Sequence, residues 1–357
     1  MADSIEVYFL GVETKSSGDA ITLRHTSNGA SAVHVVDGGY LETGQQIYDN
    51  LISAYGSSHV DHVVLTHPDR DHANGLRSVL EKCEVGVLWM NRPWIYAEQL
   101  LERFETYQSA DALRRKLRQI YDASAALEDL AIAKGIPILA PFQGEMIGDF
   151  QVLAPSYSRY LDLIVESNKT PEAAEDSVLS FAVEAIMKAA NAAKNLVKAA
   201  WGDEYFPPGG TSAENEMSVV QTVVVGGRRL LLTGDTGREG LTEAADFLEQ
   251  QGGQLPGVWT FQVPHHGGRR NVNSEVLDRW LGPKLSELPQ STPWNAICSS
   301  AKADEAHPRK SVIRAMMHRG GFFAATEGRT VSVAIGVTRD GWQSLAQAPY
   351  PDQQETE

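Results

Sequence analysis

The chain has 357 residues, a formal net charge of −15, and 42% hydrophobic and 22% charged residues. That length holds one large domain or two ordinary ones, and the composition is that of a folded chain rather than a disordered one. The acidic balance argues against a surface for non-specific DNA binding, which works through Lys and Arg, and no stretch approaches the ~18–20 apolar residues of a membrane span.

The opening residues, MADSIEVYFLGVE, show no basic segment followed by an apolar one and read as no secretory signal. Cys83 and Cys298 sit in apolar runs. They read as reduced core thiols of a cytoplasmic protein, with a single disulfide between them as the alternative. The first forty residues alternate as strands (IEVYFLGV, AITLRH, SAVHVVDGG) separated by Ser16-Ser17-Gly18-Asp19 and Thr26-Ser27-Asn28-Gly29, as in a β-meander. A helix from Gln46 to Tyr55 follows, then the strand VDHVVLTH, which Pro68 stops, then VGVLWM. Residues 94–134 turn helical, with Leu113, Leu117, Ile120, Leu127 and Leu130 at helical spacing or its multiples. IPILAP and DFQVLAP return to strand character, each closed by proline.

Thr170-Pro171-Glu172 opens a second helical stretch reaching residue 201, with Leu179, Val183, Ile186, Ala190, Ala193, Val197 and Trp201 as its apolar stripe. Both helical stretches (94–134 and 170–201) read as insertions between core strands, candidates for a lid or a homodimer contact. Residues 217–235 form a hairpin on the Gly226-Gly227 turn. A helix (239–251), the strand VWTFQVPHHGG, a helix (274–281), the strand NAICSSA and a helix after Pro308 complete an α/β alternation. Residues 1–345 thus read as one domain and 346–357 as a flexible tail.

Most of the chemistry sits in VVLTHPDRDHANGL (63–76), where a β-branched run ends in His67, Asp69, Asp71 and His72. Two imidazoles and two carboxylates at one strand end are costly to bury unless a cation lies among them. LLLTGD ends in Gly234-Asp235 and FQVPHHGG in His265-His266, again at strand ends, with helix-sized spacers between the three motifs.

THPDRDH resembles the metal-binding loop of the metallo-β-lactamase fold, His-x-His-x-Asp-His. Its His-x-Asp-x-Asp-His form is similar to the branch containing the soluble domain of ComEC-type competence proteins. The resemblance covers roughly residues 5–335 and implies an α/β fold, a metallo-β-lactamase-like αββα sandwich with helical insertions. It implies His67, Asp69, Asp71, His72, Asp235 and His265 as metal ligands around one or two divalent ions, Zn²⁺ or Mn²⁺. SSGDAITLRH and VVDGG resemble its opening, making Asp19 and Asp37 residues that orient ligands. Asn215-Glu216-Met217-Ser218 resembles its Asn-x-x-Ser segment, which places Asn215 near the metals and Ser218 on the substrate.

There are departures. No histidine lies between His72 and His265, so the middle histidine ligand is missing, and Gly268 stands where the branch has Ser. The first metal position, with His67, Asp69, Asp235 and Asn215, is therefore oxygen-rich and favours Mn²⁺ or Mg²⁺. The second, with Asp71, His72, Asp235 and His265, suits Zn²⁺ or Mn²⁺.

A cation on such ligands acidifies bound water. Asp71 then orients the water, and His266 or His307 binds a phosphoryl oxygen or protonates the leaving group. Arg269 and Arg309, beside those histidines, are candidates to hold phosphate. The expectation is a metal-dependent hydrolase, a phosphodiesterase or nuclease acting on a small nucleotide or short oligonucleotide, with neither long duplex DNA nor a membrane as partner. Hydrolysis of a lactone, thioester or amide is the alternative within the fold. A non-catalytic binding protein with a degraded metal site is the alternative outside that class.

Overall fold

Two seven-stranded sheets face each other, and the alternation of side chains along their strands decides what lies on each face. The computed structural model describes residues 3–169 and 196–356. The first sheet runs, in spatial order, Val331–Ile335, Ser4–Phe9, Ala20–Ser27, Ala30–Gly38, His59–Val64, Glu84–Trp89 and Ile138–Leu139. The second runs Gly321–Ala325, Trp294–Cys298, Thr260–Gln262, Arg228–Leu232, Val220–Val225, Phe150–Ala154 and Met146–Ile147. Ile5, Val7, Phe9, Val36 and Val64 of the first sheet meet Val152, Val223, Leu230, Leu232 and Ile297 of the second in a shared apolar layer.

The alternate positions face outward onto helices. Val35, Val63 and Leu88 pack with Leu76, Leu80, Leu117 and Leu127. Leu231, Phe261, Ala296 and Phe323 pack with Leu241, Leu248, Trp280 and Met316. The result is helix, sheet, sheet, helix: the αββα sandwich expected from the sequence.

Strand direction sets the position of the site. Ala30–Gly38, His59–Val64 and Glu84–Trp89 run parallel, as do Arg228–Leu232, Thr260–Gln262, Trp294–Cys298 and Gly321–Ala325. Within each sheet the loops leaving these strands open on one edge, and the Val219 N–H donates to the Thr66 carbonyl across the two sheets there (3.0 Å). The hairpin turn forms as read, with φ of +56° and +76° at Gly226 and Gly227.

Several elements differ from the expectation. Residues 94–134 are helical in pieces, chiefly Ala110–Ile120 and Asp122–Lys134, and Leu113, Leu117 and Leu127 are buried in the outer layer of the first sheet. These leucines pack the segment onto the sheet. Of the second expected helix, 170–195 lies outside the described residues, while Leu196–Lys198 is a strand and Trp201 lies in a turn. The expected flexible tail is tied down, since Gln353–Glu355 pairs antiparallel with Leu196–Lys198. The fully buried Arg314 donates to the carbonyls of Asp203, Pro351 and Ala200, and its guanidinium lies over the Tyr350 ring. Strands Gly321–Ala325 and Val331–Ile335 went unread because short apolar runs carry little periodicity. Both cysteines are buried and unpaired, so the disulfide alternative does not form. Among the described residues no helix is long and apolar enough to cross a membrane.

Candidate metal centre

The centre is built around Asp37, which ends its strand with φ +57°. One carboxylate oxygen accepts the Thr66 N–H (2.8 Å), and the other accepts the Thr66 hydroxyl (2.7 Å) and His72 Nδ1–H (2.7 Å). With its proton directed at Asp37, the Thr66 hydroxyl accepts from His67 Nδ1–H (3.0 Å). His266 Nδ1–H donates to the Ser299 carbonyl (2.9 Å), which can only accept. Each of the three rings is thereby fixed in one tautomer, with the Nε2 lone pair directed inward.

Tight backbone contacts allow this convergence. A Cβ on Gly75 would lie 1.8 Å from the Gly38 carbonyl oxygen, so only glycine lets the His72 helix sit against the Asp37 strand end. His265 and His266 are consecutive residues at φ +49° and +54°, a conformation that costs a side-chain-bearing residue about 1–3 kcal/mol. This turn carries the His266 ring into the centre and leaves His265 at its rim.

Asp19, His72, Asp235 and His266 bring one donor atom each to within 4.8 Å of one another, and all four are buried. Asp71 Oδ2 lies 3.4 Å from His266 Nε2 and 3.8 Å from His72 Nε2, and Asp235 Oδ1 lies 3.4 Å from His72 Nε2. Five buried atoms here have no hydrogen-bond partner: Nε2 of His67, His72 and His266, and Oδ1 of Asp19 and Asp235. Burying so many unsatisfied polar atoms is strongly unfavourable unless something binds them together, and imidazole plus carboxylate is the donor set of a divalent ion.

The charges agree with this reading. Burial by itself lowers the His72 pKa, but Asp235, Asp37 and Asp71 outweigh it and hold the ring well above 6.5. Burial opposes the rise at His266 too, yet Asp235, Asp71 and Asp19 lift it to about 9. Burial would raise Asp235, but the surrounding His72, His265 and His266 keep it well below 3.8. Without an ion the carboxylates hold protons on these two rings, and the same negative charge would favour a divalent ion that displaces those protons.

The remaining candidates fall around this cluster. His67 Nε2 is 3.8 Å from Asp235 Oδ2 and 3.9 Å from Asp69 Oδ2. His265 Nδ1 hydrogen-bonds Asp235 and lies 3.2 Å from Asn215 Nδ2, which also donates to Thr211 (2.7 Å). His266, expected to contact substrate, thus sits deeper than His265, expected as the ligand. Asp19, expected to stand behind the ligands, reaches the cluster itself. Ser218, expected on the substrate, is fully buried, and its hydroxyl accepts the Asp235 N–H (3.1 Å), so it positions that carboxylate.

His307 stands with its ring 5.6 Å from His265 and 6.3 Å from His266, and Asp304 accepts from its Nδ1 (3.2 Å). Among the described residues no ion pair is formed by Arg269 or Arg309; the Arg269 guanidinium lies over the Tyr205 ring, and one of its buried nitrogens has no hydrogen-bond partner. Burial and the neighbouring Arg309 pull the Arg269 pKa down. Thr66, Ser299 and Asn271, whose amide donates to the Asp235 carbonyl (2.7 Å), support the centre but were not singled out. Nor were Asp304 and Lys169. Asn271 and Asp304 lie close to named motifs, whereas Lys169 belongs to no pattern.

Layer order and strand order make this an αββα sandwich, carrying a cluster suited to a divalent ion. Among solved structures, a mutant of the CmlA beta-hydroxylase is 12% identical, with a TM-score of 0.42 over 93% of this chain and 54% of that one. The chain therefore spans about half the length of that protein. The metallo-beta-lactamase SMB-1 bound to 2-mercaptoethanesulfonate is 13% identical, with a TM-score of 0.29 over 68% of this chain and 74% of that one. No protein-family model and no curated protein matches the chain.

Proposed function

We propose that the protein is a metal-dependent phosphodiesterase acting on a small nucleotide or short oligonucleotide. The convergence of five unpartnered buried donor atoms, three of them imidazole nitrogens of fixed tautomer, carries the metal-dependent part. Asp71, His72, Asp235 and His266 would hold the ion, with Asp19 beside them. An ion bound there supplies a Lewis acid that acidifies water and neutralises charge developing at phosphorus.

The protein's own residues supply the rest. Arg269 and Arg309 are cations beside the histidine turn with no ion pair among the described residues, and the Arg309 N–H donates to the Gly267 carbonyl (3.1 Å). Guanidinium groups of this kind bind phosphoryl oxygens in two-point fashion. Their presence in a chain of net charge −15 favours a phosphate-bearing substrate over a lactone, thioester or amide, which an apolar pocket would suit better. His307, whose Nδ1 bonds Asp304, would hold or deliver a proton at the leaving oxygen.

The test is a hydrolysis panel on the metal-loaded protein: bis-p-nitrophenyl phosphate, single-stranded DNA, cyclic dinucleotides and lactones. Turnover of a phosphodiester that falls at least ~10²-fold in Arg269→Ala/Arg309→Ala is expected, since such groups act on developing charge. Lactone turnover without phosphodiester turnover would replace this substrate class.

A further inference from the structure

We propose that the centre takes one divalent ion, and that the ammonium of Lys169 supplies the charge of a second. This rests on the metal-dependent reading above and concerns the first metal position, which the fold builds from His67, Asp69, Asp235 and the region of Asn215. The residues present there do not suit an ion. Lys169 Nζ donates to Asp69 Oδ1 at 2.7 Å. Asp235 Oδ2, the oxygen on the His67 side, is bonded by His265 Nδ1. The Asn215 amide nitrogen donates to Thr211 at 2.7 Å and faces His265. Of the donors particular to that position, His67 Nε2 is the buried atom left without a partner, against four converging buried side chains at the other position.

Lys169 is also held in place. Its own N–H donates to the Ser167 hydroxyl (3.1 Å), and that hydroxyl bonds the buried Glu214 carboxylate. An ion taken up by the second oxygen of Asp69 would sit within a few ångströms of the ammonium, and repulsion between the two cations opposes it. The ammonium instead stands at the edge of the centre, charged and directed by Asp69, where it neutralises phosphoryl oxygen as a point charge. A position without a middle histidine thus has a protein cation beside it, which takes part of the ion's electrostatic role.

The experiment is metal titration of the full-length, metal-stripped protein with Zn²⁺ and separately Mn²⁺, read by calorimetry and by native mass spectrometry. One tight equivalent is expected. Lys169→Met should tighten a second equivalent at least tenfold, Lys169→Arg should not, and Asp69→Asn should leave the first equivalent within threefold of its original affinity. Two equivalents of similar affinity in the unaltered protein would overturn the inference and leave the metal-dependent reading standing. Loss of the tight equivalent in Asp69→Asn, or a second-equivalent affinity unmoved by Lys169→Met, would also overturn it. No tight equivalent at all would overturn both.

Discussion

One carboxylate governs two imidazoles. Asp37 accepts from His72 directly and from His67 through the Thr66 hydroxyl, so it sets both tautomers from behind the rings. Removing such an outer partner typically costs about 10–100-fold in metal affinity. Asp37→Ala is therefore expected to weaken the tight equivalent by about that factor, measured by calorimetry, with Asp37→Asn less affected because its amide oxygen can still accept from His72. Equal affinity in Asp37→Ala would show that the rings orient themselves. By contrast, Asp71→Ala and His72→Ala remove donors from the centre itself. Hydrolysis is expected to be lost in each while far-ultraviolet circular dichroism is unchanged, because both residues sit in one short helical turn at a strand end, over a packed scaffold.

At the scale of elements, the short helix Arg70–Ala73 depends on one backbone contact. Gly75→Ala would place a methyl group on the Gly38 carbonyl, where neither backbone can yield without moving His72 away from Asp37. A loss of about 3 kcal/mol is expected, read from the urea midpoint, at the upper end of ordinary overpacking. The C-terminal strand supplies a second test. Deleting residues 350–357 removes the Pro351 carbonyl and the Tyr350 ring from Arg314 and leaves a buried cation short of partners. About 3 kcal/mol of destabilisation is expected in the same measurement, the cost of breaking a buried charged contact. An unchanged midpoint would mean that the strand contributes nothing to the fold. Neither feature is visible in local sequence, because each depends on what a distant segment places opposite it.

For the whole molecule, the centre and a buried histidine between the sheets pull on stability in different ways. Asp19 and His72 belong to the first sheet's loops, Asp235 and His266 to the second's, so a bound ion cross-links the sheets. At about 100 times its dissociation constant it should stabilise the fold by about 2.7 kcal/mol, and a chelator should reverse this. Farther from the centre on the inner face, His34 is buried with neither ring nitrogen bonded, beside His62, Phe150 and Gly148, with His25 and its partner Asp149 nearby. Burial, and then His62 and His25, lower its pKa well below 6.5. The unfolded chain takes up a proton as pH falls past about 6.5, while the folded chain resists until lower pH, so stability present above that pH is lost on acidification. His34→Phe should flatten the fall in melting temperature between about pH 7 and 5. An unchanged acid slope would place the sensitivity elsewhere.

What sequence determined by itself was everything carried by local pattern. Alternation in IEVYFLGV specified a strand, because period two matches a half-buried sheet, and in VVVGGRRLLL the Gly226-Gly227 pair specified the turn between two apolar runs. The motifs around His67, Asp235 and His265 were legible because ionisable side chains at the ends of apolar runs have few uses besides binding a cation. Tertiary structure alone decided which histidine of the pair turns inward, since that rests on two successive left-handed residues and on a carbonyl from Ser299 more than thirty residues away. It alone decided that Asp19 joins the cluster, that Ser218 lies beneath Asp235, and that Lys169 reaches Asp69 from a hundred residues along the chain. Periodicity reports only which face of an element is buried. The partner met on that face is set by how the sheets and loops close, and at this centre those partners decide the chemistry.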